Sequence, residues 1–207
     1  NPNATGEIRY TLDNSIPTAD SPLYSGPVKI THNTIVRTAL FVAGQPASVS
    51  ATGYFRILDE KGSGPRGLTY KVYLLPDALV RLPDFSKLKP AASGTAHEVT
   101  VTGLTLPRED NVAVAFDGYI QLTAAGTYSF ALSSDDGSKL YIDGKQVVDN
   151  DGAHGVIMAN GSIDLQPGKH AIRVEWFNGG GGAWLGAYFE GPGIPRQFID
   201  PNRLTPQ

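Results

Sequence analysis

Two adjacent carboxylates, Asp135 and Asp136, separate a strand-like run at 128–132 from another that begins at Lys139. Aspartate is depleted inside strands and tolerated in loops, so the pair is expected at a loop mouth where the first run stops alternating. Neighbouring residues of an extended strand point to opposite faces, which would hold the two carboxylates apart. A bent or cis backbone between them would bring both onto one cation. The all-oxygen chemistry suits calcium, which takes six to eight ligands from carboxylates, amides and main-chain carbonyls. The plainer alternative is a solvated pair that caps a turn.

Other residues nearby offer chemistry of their own. Trp184 directly follows the run Asn178-Gly179-Gly180-Gly181-Gly182-Ala183 and is either an exposed platform for a sugar ring or, by strand alternation, a core anchor. His154 lies in Asp149-Asn150-Asp151-Gly152-Ala153-His154-Gly155 and is either a metal ligand or sugar hydrogen-bond donor, or a brace of its own loop. Asp149 and Asp151 form a second acidic pair that turn chemistry explains equally well. Catalysis finds little support. Paired carboxylates of glycoside hydrolases stand across a scissile bond, about 5–9.5 Å apart and on separate elements, which two neighbours in one loop do not do. There is no Gly-x-Ser-x-Gly, His-Glu-x-x-His, phosphate-cradling loop or cysteine.

The 207 residues include 24 Gly and 15 Pro, with 41% hydrophobic residues, enough for one large or two small globular domains. A net charge of −3 with scattered Lys and Arg makes nucleic acid and anionic membranes poor partners. The absence of cysteine excludes disulfides and thiolate metal sites. No apolar run reaches about 18 residues, so no membrane span is expected. The opening Asn1-Pro2-Asn3 close to a strand, with no signal peptide, is expected of a piece of a longer polypeptide.

The periodicity is that of strands nearly throughout. Ile8, Tyr10 and Leu12 alternate with Arg9 and Thr11, and 34–42 and 54–58 are further apolar runs, so three or four strands predict a small β-sandwich over 1–58. Residues 59–65 carry charge and glycine without an apolar side chain and are assigned as a linker. Strand pattern resumes at 68–75, while Pro83 limits 79–88 to one short helical turn. Asp143-Gly144 inside 139–148 signals a type I′ hairpin. In 170–177, Ile172, Val174 and Trp176 share one face and Arg173 and Glu175 the other. Trp184, Gly186 and Tyr188 oppose Leu185, Ala187 and Phe189 in what is expected to be the last strand, and Tyr141 and Tyr188 are expected to pack. Turn spacing predicts about eight to ten strands after the linker, forming a larger all-β sandwich.

Gly118-Tyr119-Ile120, 125–130, 134–144, Val148-Asp149-Asn150, His154-Gly155 and 168–175 together resemble the PA14 domain across about residues 66–207. Arg9-Tyr10-Thr11-Leu12-Asp13, Ile16-Pro17-Thr18, Ser21, Leu23-Tyr24 and Pro27-Val28 resemble the chitobiase C-terminal-type, fibronectin-III-like domain. The first resemblance implies a β-sandwich or barrel. In several of its members, calcium held by a cis-linked Asp pair binds sugar. It puts Asp135 and Asp136 on that pair, Asn178 on a loop residue supplying a further oxygen, and main-chain carbonyls, Gly180 among them, on the rest of the coordination. Consecutive glycines can turn carbonyls inward at positive φ, which is consistent with that role. The loop is leaner than in the adhesins of the family, so the ligand does not carry across.

The reading that follows is a non-catalytic accessory region of a secreted or cell-surface bacterial carbohydrate-active protein. It would comprise a spacer at 1–58, a linker at 59–65, and a calcium-dependent carbohydrate-binding module at 66–207. Asp135, Asp136, Asn178 and Gly180 would hold Ca2+. Trp184, His154 and the Asp pair would meet a polysaccharide, and a linked catalytic domain would complete a parent protein expected to be monomeric. The alternatives are a structural or protein-docking module without a sugar ligand, and a fragment of a hexosaminidase- or fucosidase-type glycoside hydrolase whose catalytic domain lies elsewhere.

Overall fold

The computed structural model describes residues 6–13, 15–31, 34–55, 66–77 and 79–207. By contact, the chain divides into two compact units, Asn1–Glu60 and Lys61–Gln207. The linker assigned to 59–65, and the apolar run beyond Phe55, lie outside the described residues. Regular structure is all-β apart from two single-turn 3-10 helices among the described residues, and no helix there is long and apolar enough to cross a membrane.

The first unit is a four-stranded antiparallel sheet of β1 (Glu7–Thr11), β2 (Thr34–Val42), β3 (Gln45–Pro46) and β4 (Ala51–Phe55). The long strand β2 is central. It pairs with β1 along one edge and with β4 and then β3 along the other. The 15–24 segment returns beside β1, where Tyr10 N–H donates to the Pro22 carbonyl at 3.0 Å and Tyr24 N–H to the Ile8 carbonyl at 2.8 Å. Ile35, Ala39 and Phe41 of β2 are buried.

The second unit is a sandwich of two sheets. One contains β10 (Lys145–Asn150), β9 (Ser138–Ile142), β12 (Gly168–Asn178), β7 (Val112–Leu122), β5 (Leu68–Leu74) and β6 (Ala92–Ala96) in that order, with β15 (Leu204–Pro206) also on β7. The other runs β11 (Ile157–Leu165), β8 (Gly126–Asp135), β13 (Trp184–Gly191), β14 (Ile194–Phe198). Between them lies a continuous apolar core built from alternate residues of the facing strands: Val114 and Phe116, Tyr128, Phe130 and Leu132, Leu140 and Ile142, Val174 and Trp176, Leu185 and Phe189. Strand β7 is buried on both faces from Val112 to Phe116. Its second face meets a loop carrying Leu79, Leu82 and Phe85, and small side chains at Ala113 and Ala115 leave room for that cover. The 3-10 turn at Phe85–Lys87 is the short helical turn that Pro83 permits.

Eleven strands stand in this unit among the described residues, which corrects the expected eight to ten. The excess comes from polar, glycine- and proline-containing segments whose pairing is set by tertiary contact. The strand β13 is therefore not the last. In β14, Pro195 sits on a sheet edge, where a missing N–H costs no ladder bond, and β15 docks on β7. The Asp143-Gly144 hairpin is as expected, with φ of 50° and 78° at its two turn residues.

The sandwich closes where β10 meets β11. The β10–β9 register slips between Gln146 and Val148, and the Val147 carbonyl left over at this bulge is aimed at Gly161. A Cβ on Gly161 would stand 1.8 Å from that oxygen. We expect Gly161→Ala to destabilise the unit by about 1–3 kcal/mol, the usual cost of overpacking, whereas Gly155→Ala, with nothing within 4 Å of its Cβ, stays within about 0.5 kcal/mol. Urea denaturation of the two variants measures the difference.

A pH-dependent contact joins the hairpin to β12. His170 Nδ1 lies 2.6 Å from Asp143 Oδ2 and Nε2 lies 2.8 Å from the Gln166 carbonyl. Burial pulls the imidazole pKa down, but the bonds to Asp143 and Gln166 outweigh it and leave it raised. A raised folded-state pKa stabilises fully below the unfolded value, about 6.5, and is lost as pH climbs through the folded one. The His170–Asp143 coupling in a double-mutant cycle should therefore be larger at about pH 5.5 than at about pH 8.5, and a coupling that is flat or rises with pH would contradict this.

Candidate functional site

Asp135 is the last residue of β8, and Asp136 and Gly137 form the turn into β9. The peptide bond between the two aspartates is cis. Beneath them lies a polar cluster that the sequence reading passed over. Ser134 and Ser138, both fully buried, bond through their hydroxyls at 2.7 Å, and Asn150 Nδ2 donates to Ser134 Oγ at 2.9 Å. The signal was present in the inward positions of β8 and β9, where hydroxyls stand in place of the expected apolar side chains. The Asp135 carbonyl accepts from the buried Trp176 indole at 3.0 Å, so this core tryptophan also fixes the backbone of the acidic pair.

The two carboxylates have different partners. Asp136 is only 7% exposed. Its Oδ1 accepts from the His154 N–H and its Oδ2 from the Gly179 N–H, both at 2.9 Å, so it joins the β8–β9 turn to the 150–156 loop and the glycine loop. The Asp135 side chain receives no hydrogen bond from the described residues. Its Oδ2 leans over Gly182, where a Cβ would lie 2.7 Å away. The glycine loop thus touches Asp136 at its first glycine and Asp135 at its fourth. Gly180 and Gly181 between them have φ of 152° and 93°, a backbone open to glycine and closed to most other residues.

Asn178, fully buried at the end of β12, anchors this loop. Its Nδ2 donates to the Glu109 carbonyl at 3.0 Å and its Oδ1 accepts from the Gly180 N–H at 3.0 Å. An amide oxygen has two lone pairs, so one remains. Asp110 also borders the loop, its carboxylate 3.7–3.9 Å from the Cβ position of Gly180. Sequence reasoning missed this residue because it precedes β7, some seventy positions from the glycines. Only the β7–β12 register, which pairs Val112 with Asn178, brings it there.

His154 braces rather than reaches outward. Its Nδ1 lies 2.9 Å from the Gly155 carbonyl and its Nε2 3.0 Å from the Asn150 carbonyl. Asp151 is likewise engaged, taking the Leu82 N–H at 2.8 Å and Lys139 Nζ at 3.0 Å, while Asp149 accepts from the Asp151 N–H at 3.1 Å. The second acidic pair is therefore occupied by a lysine and by turn contacts. Trp184, in contrast, is 37% exposed and stands opposite Asp135 in the β8–β13 register, its Nε1 donating to Ser133 Oγ at 3.2 Å. Trp184 is thus a surface residue and not a core anchor. Tyr141 lies away from this site, on the outer face of the larger sheet, bonded to Glu175 at 3.2 Å. Burial, then the Glu175 charge, pushes its hydroxyl up to about 12.

No group of three or more His, Cys, Asp and Glu side chains among the described residues forms a metal cluster. A cation at the acidic pair would rest on two carboxylates supplemented by amide and main-chain oxygens. That donor set is all oxygen, with the one nearby imidazole turned to main-chain carbonyls at both of its nitrogens. It suits a hard, flexible-geometry ion such as calcium and is unsuited to zinc.

Residues 66–202 match the family model of the PA14 domain, and residues 1–52 match that of the chitobiase/beta-hexosaminidase C-terminal domain. No curated protein matches the sequence. Among solved structures, the chain is similar to the PA14 domain of the antifreeze protein MpAFP, with 22% identity, a TM-score of 0.59, and 72% of this chain and 97% of that chain covered. It is also similar to a PA14 sugar-binding domain from an RTX adhesin, with 16% identity, a TM-score of 0.60, and coverage of 70% and 100%. An anti-sigma factor domain-containing protein from Clostridium clariflavum aligns over 98% of this chain and 78% of its own, at 19% identity and a TM-score of 0.56. At these identities the structural likeness bears on fold alone. The family models go further: the chain belongs to the PA14 domain family, with a chitobiase/beta-hexosaminidase C-terminal domain ahead of its PA14 domain.

Proposed function

We propose that residues 66–207 bind carbohydrate through a calcium ion held by Asp135, Asp136, the Asn178 amide oxygen and main-chain oxygens of the glycine loop, Gly180 included. The observation that carries this reading is the Asp135 carboxylate, which leans over Gly182 with no donor from the described residues while its neighbour is tied down by two. A carboxylate without a protein donor beside a second, braced carboxylate is available to a cation. Calcium, when bound, supplies the counter-charge and offers open coordination positions to sugar hydroxyls. Asp136 holds the three loops in register, and Trp184 presents an apolar ring face beside the ion. The description of the RTX adhesin domain as sugar-binding lends support. With a chitobiase-type domain at 1–52, the chain reads as a non-catalytic accessory region of a secreted or surface-exposed bacterial carbohydrate-active protein. Even weak binding would raise the effective substrate concentration for a linked catalytic domain.

The test is a glycan-array scan in calcium and in EDTA, paired with calcorimetric calcium titration of Asp135→Asn and Asp136→Asn. Asp135→Asn should lower calcium affinity about tenfold or more, as expected for loss of a charged ligand, with thermal stability unchanged in EDTA. Asp136→Asn should lower both. Sugar binding should vanish in EDTA. Wild-type protein that takes up no calcium, or sugar binding indifferent to EDTA, would reject the reading, and calcium uptake without any sugar ligand would favour a bracing role in a structural module.

Gly182 gives a second check. An added methyl would meet Asp135 Oδ2, the movable end of a side chain, so Gly182→Ala should weaken calcium binding by displacing that carboxylate while costing less than about 1 kcal/mol of stability. Unaltered calcium affinity in the variant would mean that Asp135 is not a ligand.

A further inference from the structure

The outer face of the smaller sheet continues from the acidic pair, and the register fixes which side chains share it. Directly opposed residues lie on one face, so Asp135 and Trp184 belong together, as do Met158, Ser133 and Gly186, and Ala131, Tyr188 and Phe198. Three aromatic rings converge over Gly186. A Cβ there would stand 3.0 Å from the Phe198 ring, 3.5 Å from that of Trp184 and 3.5 Å from that of Tyr188. Tyr188, expected from the sequence only to pack, is stacked on Phe198 with centroids 4.2 Å apart on this outward face.

Arg196 from the edge strand β14 crosses over these rings. Its guanidinium carbon lies 5.9 Å from the Tyr188 centroid, and Nη2 lies 2.8 Å from Sδ of Met158 on β11, the opposite edge of the sheet. Arg196 is exposed, and no carboxylate among the described residues pairs with it. A thioether is a weak acceptor and an exposed cation–π contact is worth only about 0.5–1 kcal/mol, so most of a five-donor fork suited to carboxylate or sulfate oxygens is unspent. From Trp184 to Tyr188 is four residues of β13, about 13 Å along the strand. The strip therefore runs from the acidic pair, over apolar rings, to an unpaired cation. Glu190, the next outward position, opposite Ser129, bounds it.

We propose that this face receives an oligosaccharide laid along β13, with one residue at the acidic pair, the next on Trp184, and an anionic substituent, carboxylate or sulfate, at Arg196. This rests on the carbohydrate-binding reading above and narrows it to acidic, extended polysaccharides rather than single terminal sugars. Arg196 would act in specificity and not in holding the ion.

The test uses the full 207-residue chain and its Arg196→Gln variant in calcium. The probes are uronate oligosaccharides with their carboxyl-reduced counterparts, and sulfated oligosaccharides with their desulfated counterparts, each in graded lengths. The wild type should prefer the charged member of at least one pair, increasingly with length. The variant should lose about tenfold on that member, the worth of a charge-assisted hydrogen-bond pair, and nothing on the neutral one, with its calcium titration unchanged. The uronate and sulfate arms identify which anion is read. Calcium-dependent binding that ignores both charge and Arg196 overturns this inference and leaves the calcium reading standing. Charge-selective binding that needs Arg196 yet survives EDTA supports the strip and overturns the calcium reading, and no binding to any of these probes overturns this inference alone, since the calcium reading answers to the glycan array and the calcium titration.

Discussion

Asp136 is a nearly buried carboxylate, and burying a charge is costly unless donors or a counter-ion meet it. Here each oxygen takes a main-chain N–H, one from His154 and one from Gly179. These two bonds tie three loops together at one end of the sandwich. The turn between β8 and β9 is fixed from below by the Ser134–Ser138–Asn150 cluster and by the Trp176 indole on the Asp135 carbonyl. The glycine loop and the 150–156 loop are then drawn onto that turn. Removing Asp136 would leave two part-buried N–H groups without their acceptor as well as losing a charge, so its role in architecture is bound up with any role in ion binding.

The sandwich supplies the rigid base for this arrangement. The strands β8 and β12, which end at Asp135 and Asn178, lie in different sheets, so the site spans the gap between the layers at the open end of the core. Packing fixes the width of that gap, through Phe130 and Leu132 facing Val174 and Trp176. At the side of the sandwich, the contact of Gly161 with the bulged Val147 carbonyl sets how closely β10 and β11 approach. Asp110 enters only because β7 pairs with β12 in a register that brings Val112 to Asn178. Loop positions here are consequences of strand register, and register is set by which alternate residues must be buried.

Where side-chain period and turn chemistry were local, the sequence was readable. The inward set Ile172, Val174 and Trp176, the Asp143-Gly144 hairpin and the short turn near Pro83 all follow from alternation or from fixed backbone preferences, and all are present. The acidic pair at the end of β8 was legible for the same reason. Strands without an apolar face were not: β6 reads Ala-Ser-Gly-Thr-Ala and β14 Ile-Pro-Arg-Gln-Phe, and each is a strand because a neighbour offers an edge. The choice between core and surface for Trp184 was also closed to sequence, since alternation gives two faces without saying which is wet. The expectation of a chitobiase C-terminal-type domain at 1–58 followed by a PA14 domain at 66–207 agrees in family and order with the family models, which match 1–52 and 66–202.

Within the acidic pair the two side chains divide the work, and the division explains why neighbouring like charges are tolerated. Asp136 spends its oxygens on backbone donors and lies in the protein interior. Asp135 lies on an outward register position, opposite an exposed tryptophan, with no donor from the described residues. Were both braced, the pair would be a structural knot with no capacity left for a ligand. Were both free, their mutual repulsion in a partly desolvated site would push the loops apart. One braced and one free carboxylate around a four-glycine loop gives a fixed wall and an available charge, and the available charge faces the same side of the sheet as Trp184, Tyr188 and Arg196. The site therefore opens toward the outer face of β13.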